Sequence, residues 1–191
     1  MKTFISFLER IASYKSLAIF TLIYVSFPAY FLKNAETKLN ELSGKPITII
    51  DLTMGYNPVR TISLLQDYSP EARIYYATVE STIDVAYPIV YAFLFAIILV
   101  LLYRNKRFGI SSWVYLLPFV MLVFDYIENF YIVKLLTQTD SFFGPNILPC
   151  ELAKLIKWSI FFIILLLIIN GLLRNTMTWL SRRKVWNIRI A

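Results

Sequence analysis

Four stretches of this chain are too long and too apolar for an ordinary soluble fold. Ser16–Leu32 is an uncharged run of 17 residues, and Val85–Tyr103 is another of 19. Trp113–Leu136 and Glu151–Leu173 are as long, although each carries charge. A bilayer core is about 30 Å thick and takes roughly 20 apolar helical residues to cross. Inside it every backbone N–H and C=O must be satisfied within the chain, so such segments are helices. Composition agrees: 58% of residues are hydrophobic and 16% charged, against about 45–50% and 25% in soluble domains. The expected fold is all-α, a four-transmembrane-helix bundle in one membrane domain, with a long, partly helical external loop between spans 1 and 2.

The spans expected are 16–32, 82–103, 113–136 and 151–173. Ahead of them, residues 1–14 place Phe4, Phe7, Leu8 and Ile11 on one helical face. They read as a short interfacial helix, or equally as an extension of the first span. That span is long enough to be retained rather than cleaved as a signal peptide. Pro28 and Pro118 are candidate kinks. Within the external loop, 33–81, the stretch Ile47–Leu52 is apolar and β-branched and reads as a short extended segment. Asn57-Pro58 supplies a cap and a first helical residue for a helix to about Asp67. Ser69-Pro70-Glu71 is a stronger start, with a cap, a proline and an acid in the first turn. No obvious breaker follows before Pro88, so one helix is expected from Glu71 to Tyr103. Thr137–Pro149 is a short Gly/Pro-containing loop.

The net charge of +7 has no nucleic-acid recognition motif beside it. Its cations flank apolar spans, which suits membrane lipids with anionic head groups. The N-terminus, the segment around Arg104–Arg107 and the basic tail 174–191 together hold eleven Lys or Arg and one acid, Glu9. The external loop holds five Lys or Arg and six acids. The positive-inside rule then places both termini in the cytoplasm of a cell (inner) membrane protein. Trp179 and Trp186 make the tail read as interfacial.

No histidine is present, and Cys150 is the single cysteine. That removes the usual proton shuttle, the commonest metal ligand and any Ser-His triad. No metal, cofactor or catalytic residue is therefore expected, a carboxylate-only metal site being the weakly supported exception. Cys150 reads as inert, with nothing to activate it. Asn170-Gly171 reads as a helix-packing or fraying feature.

The chemistry lies inside the spans. Phe124–Phe130 carries Asp125, Glu128 and Asn129 at i, i+3, i+4 spacing, on one helical face. A charge at the bilayer centre costs at least ~2.5–3.5 kcal/mol, so that face looks at protein or water. Glu80, Asp84, Tyr87 and Tyr91 form a polar stripe along the second span. At ~1.5 Å per residue from the cytoplasmic side, Asp125 stands ~18 Å up, Glu128 ~22 Å, Lys157 ~25 Å and Asp84 ~30 Å. These groups overlap in height, and the acids outnumber the cations, Lys157 and Lys154. The expectation is that Lys157 pairs with Asp125 or Glu128, facing Asp84, Tyr87, Tyr91 and Asn129. A protonated carboxyl or a cationic ligand balances the excess.

The pattern resembles an uncharacterised family of small four-span bacterial integral membrane proteins. The matching residues are Asp51-Leu52, Gly55-Tyr56, Ala72-Arg73, Tyr76, Glu80, Asp84, Tyr87-Pro88 and Tyr91, then Asp125, Glu128-Asn129 and Lys157-Trp158. The resemblance covers roughly residues 50–160 and implies the four-span fold and a shared polar core, but no activity. In architecture the chain is more distantly similar to emopamil-binding and sigma-2-like proteins. They too have four spans, a long first external loop and acids facing a lipid-accessible pocket. Their enzymatic members use a histidine that this chain lacks.

Three functions fit. The first is an outward-facing polar pocket that binds, or helps transport, a lipid or an amphipathic cationic small molecule. The ligand-binding residues would be Asp84, Tyr87, Tyr91, Asp125, Glu128, Asn129 and Lys157. Transport would require a homo-oligomer, because four spans leave little room for a path. The second is a structural or accessory subunit whose charges only hold helices together. The third is a lipid-modifying enzyme with Asp125 or Glu128 as general acid/base.

Overall fold

The computed structural model describes residues 1–53, 57–104, 110–138 and 144–190, the stretch 182–190 as backbone only. Gly55 and Tyr56, Lys106 and Arg107, and Asp140 lie outside the described residues, as do the side chains of Arg182, Arg183, Lys184, Trp186 and Arg189. Every described element is helical. Four stretches are long and apolar enough to cross a membrane: Tyr14–Ser43, Pro70–Tyr103, Ser112–Thr137 and Pro145–Ser181. This is the architecture of a multi-pass membrane protein.

Helix α1, Lys2–Ile11, is separated from α2, Tyr14–Ser26, by an extended Ala12 and by Ser13, whose side chain caps α2 by accepting from the Ser16 N–H. Leu8 on α1 is fully buried, and Phe4 meets Phe119 edge-on at 5.0 Å. The first helical run does not stop near Leu32. Around Pro28 it passes through a π-helical stretch, Phe27–Leu32, and continues as α3, Lys33–Ser43. A proline lacks the donor for an i→i−4 bond, and wider winding accommodates it without ending the helix. Gly44, at φ 66°, then ends α3 in the left-handed conformation that glycine adopts without strain.

The stretch Ile47–Leu52 is neither helical nor paired in a strand among the described residues, and side chains satisfy its backbone. Asn40 accepts from the Ile47 N–H at 2.9 Å, Tyr68 donates to the Thr48 carbonyl at 2.5 Å, and Tyr76 accepts from the Ile50 N–H at 3.0 Å. Ile50 is completely buried. Helix α4, Pro58–Asp67, starts on its Asn57 cap, and α5, Pro70–Ser81, on its Ser69 cap.

The single helix expected from Glu71 to Tyr103 is broken. Between α5 and α6, Ile83–Tyr103, Thr82 adopts φ −128°, ψ −77°. The hydroxyls of Ser81 and Thr82 donate back to the Ala77 and Thr78 carbonyls, both at 2.6 Å. Such back-bonding competes with the helical ladder and bends helices. Pro88 lies one turn beyond Asp84 and cannot bond to its carbonyl. Asn129 takes that carbonyl instead, at 3.2 Å.

A 3₁₀ turn, Ser112–Leu116, leads into α7, Leu117–Thr137. Pro118 thus sits in the first turn of α7, where a missing N–H costs nothing, rather than at a kink. The fourth span and the tail are one helix, α8, Gly144–Ile190, of 47 residues. At ~1.5 Å per residue it is about 70 Å long, more than twice the bilayer core.

Helices α7 and α8 make the most extensive contact, and α5 and α6 both pack on α7. The core falls into two clusters. One joins the loop segment, through Ile50, Leu65, Tyr68 and Tyr76, to Ile132, Leu135, Ile147 and Cys150. The other gathers Leu8, Tyr91, Leu99, Tyr103, Tyr115 and Ile164. Gly171 belongs to the packing of α6 on α8: a Cβ there would lie 3.0 Å from the Leu102 side chain, and the Tyr103 hydroxyl donates to the Leu167 carbonyl at 2.6 Å.

Cys150 is completely buried in the first cluster. Its thiol should resist maleimide in the folded protein and react once the chain is denatured. Equal rates before and after denaturation would show that the thiol is exposed.

Candidate functional site: a buried acidic layer

Between the two clusters lies a layer of ionisable side chains. The i, i+3, i+4 face of α7 turns Asp125, Glu128 and Asn129 inward, and all three are buried. Lys157 of α8 meets both acids rather than one, at 3.1 Å from Asp125 Oδ1 and 2.5 Å from Glu128 Oε2. Tyr91 of α6 donates to Asp125 Oδ2 at 2.6 Å. Asn129 donates to Asp84 Oδ2 at 2.9 Å as well as to the Asp84 carbonyl. One amide thus links α7 to both the side chain and the freed backbone of α6. Tyr87 is half-buried, stacked on Tyr24 at 5.4 Å and Phe27 at 5.1 Å. All seven residues named from the sequence therefore lie in or against this layer.

Two acids join that were not among the seven. Glu80, at the end of α5, is 2% exposed. Asp51 comes from the irregular loop segment, where its Oδ1 accepts from the Tyr76 hydroxyl at 3.1 Å. One carboxylate oxygen from each of Asp51, Glu80 and Asp84 lies within 4.8 Å of the other two. Burial lifts the Asp51 carboxyl above its usual range, and Asp125 adds to this against the opposing pull of Lys157 and the Tyr76 hydroxyl. Glu80 was visible as the i−4 neighbour of Asp84 on the polar stripe. Asp51 carried no local signal, since tertiary packing alone brings it there.

A second network stands apart. Lys154 and Glu151, one turn apart on α8, are fully buried and 2.5 Å from each other. Glu151 also accepts from the Asn57 N–H at 2.7 Å and the Thr61 hydroxyl at 2.6 Å, and Lys154 donates to Thr53 at 2.9 Å. Every charge here is answered, and the network ties the loop to α8.

Two adjoining cavities border the acidic layer. The larger, of about 470 Å³, is walled by Pro28, Leu32, Leu39 and Tyr75 and reaches Asp51, Glu80 and Asp84, with the exposed Lys33 and Glu36 also on its lining. The smaller, of about 190 Å³, is lined by the rings of Tyr24, Tyr87, Tyr91, Phe95, Trp158 and Phe161 together with Asp84, Asp125 and Lys157. They share Leu32, Asp51, Leu52, Asp84 and Tyr87. Among the described residues of this layer five carboxylates face one ammonium. The site suits a positively charged ligand, with aromatic faces for a quaternary or alkylated amine and apolar walls for a chain. No protein-family model matches this sequence, and no curated protein or solved structure is significantly similar to it.

Proposed function

We propose that this is a membrane protein that binds a cationic amphiphile, its charged head in the aromatic cavity and its apolar tail in the larger one. The observation that carries this reading is the surplus of carboxylates around cavities walled by rings and aliphatic side chains. Asp84 lines both cavities and holds the head. Asp125 shares its charge with Lys157 and Tyr91, and Asn129 fixes the orientation of Asp84. Both termini are cytoplasmic in the cell (inner) membrane, and the segment holding Asp51 is external. No nucleophile–base pair is seen among the described residues, so binding is favoured over chemistry.

The test uses the protein in nanodiscs of neutral lipid. Dodecyltrimethylammonium should bind saturably and raise Tm, and a dodecyl sulfate of the same chain length should do neither. Asp84→Asn should weaken the ammonium at least tenfold. Equal response to both detergents would reject the reading. Orientation is checked separately with Val59→Cys in a Cys150→Ala background. Val59 is 77% exposed, and an impermeant maleimide should label it on intact cells. Labelling confined to inverted membranes would reverse the topology.

The double pairing of Lys157 favours a second reading, in which the layer only fixes helix packing. Under it, variants that neutralise Lys157 and its partners together keep both fold and cellular role, and no ammonium binds.

A further inference from the structure

Glu80 poses a problem that the ammonium site does not solve. It is 2% exposed, its Oε2 has no hydrogen-bond partner among the described residues, and it does not line the aromatic cavity. Burying an unanswered carboxylate is costly, and proteins resolve this with a proton, a paired cation or a metal. Lys157 is engaged by Asp125 and Glu128.

We propose that Asp51, Glu80 and Asp84 bind a hard divalent cation of the Ca²⁺ or Mg²⁺ class. One oxygen from each lies within 4.8 Å of the others. Oxygens bound at about 2.1–2.5 Å to one ion stand roughly 3–5 Å apart, so the three atoms already have the spacing of a coordination sphere. The donor set is all carboxylate, which selects hard cations over zinc or copper. The flanking polar groups do what groups behind metal ligands do: Tyr76 bonds one oxygen of Asp51 and Asn129 one oxygen of Asp84. Such partners orient a carboxylate and hold its charge ready. Glu80 and Asp84 stand on either side of the break at Thr82, on separate helices. Asp51 is half-buried beside the exposed Leu52, on the lining of the larger cavity. The ion therefore closes the loop segment onto the second span, next to the ammonium site and sharing Asp84 with it.

The experiment strips the full-length protein with EDTA, in nanodiscs of phosphatidylcholine, and titrates Mn²⁺ by electron paramagnetic resonance. One Mn²⁺ per chain should bind saturably and be displaced by Ca²⁺ or Mg²⁺. Glu80→Gln should lower the affinity at least tenfold. Glu36→Gln, an exposed acid on the same cavity, should leave the Mn²⁺ affinity unchanged. In EDTA Glu80→Gln should melt at or above the temperature of the parent protein, and added cation should not raise it further. If Glu80→Gln fails to fold, Asp51→Asn replaces it with the same expected loss. Absence of saturable Mn²⁺, or binding that survives both variants, overturns the site. Tyr24→Leu, on the aromatic cavity alone, should weaken dodecyltrimethylammonium and leave Mn²⁺ untouched. In the parent protein, ammonium binding without saturable Mn²⁺ binding rejects this ion site alone, and Mn²⁺ binding without ammonium binding rejects the ammonium reading alone.

Discussion

Lys157→Met is expected to destabilise the protein by about 3–5 kcal/mol, the usual cost of stranding one side of a buried ion pair. For a chain of this length that is on the order of 10 °C in Tm. Lys157 is 7% exposed, and its amine holds Asp125 and Glu128 together. Its removal leaves both acids in a layer that already contains three more. Because two carboxylates share the one amine, neither Glu128→Gln nor Asp125→Asn alone should restore the protein. Each should recover part of the loss, and the triple variant most of it. A silent Lys157→Met in thermal melts of the purified protein would mean that the amine reaches solvent and that the pairing has no energetic weight.

Glu151→Gln should cost about as much, ~3–5 kcal/mol, with a different signature. Glu151 answers Lys154, the Asn57 N–H and the Thr61 hydroxyl at once. Substituting both charges by apolar residues removes the ion pair but leaves two donors without an acceptor, each costing about 1–3 kcal/mol. The double variant Glu151→Met, Lys154→Met should therefore stay well below the parent protein, unlike the rescued Lys157 triple. Limited proteolysis distinguishes the two sites further. Loss of Glu151 should release the loop and speed cleavage around residues 50–61, whereas Lys157→Met should leave that rate nearly unchanged. Full recovery in the double variant would show that the backbone tether contributes nothing.

The four spans could be read from the sequence because the bilayer demands long apolar helices, and few other patterns satisfy it. The face of Asp125, Glu128 and Asn129 was readable from i, i+3, i+4 spacing, and Lys157 from its being a cation at matching depth. What failed to show was set by tertiary geometry or by competing local bonds. Ser81 and Thr82 look harmless in a helix, yet their hydroxyls compete for its carbonyls and the helix breaks. Gly44 rather than Lys33 ends the first helical run, because charge at a membrane boundary does not unwind a helix. Glu151 looked like the edge of a span, and its partners Asn57 and Thr61 are about 90 residues away in the chain. Asp51 reached the site through a segment whose local pattern suggested only a short extended stretch. No periodicity announces a loop that folds its carboxylate into a buried layer between helices.

Helix α8 runs without interruption from Gly144 to Ile190. It carries Lys154 and Lys157 near one end, and Lys157 to Ser181 alone is ~36 Å of continuous helix. Its one internal proline, Pro149, precedes both lysines. A shaft of this kind has no joint beyond the acidic layer in which to lose a twist or a shift. Any rearrangement that moves Lys157 between Asp125 and Glu128 is therefore delivered to the far side of the membrane as motion of the whole rod, and the exposed Trp179 is the natural place to attach a reporter of it.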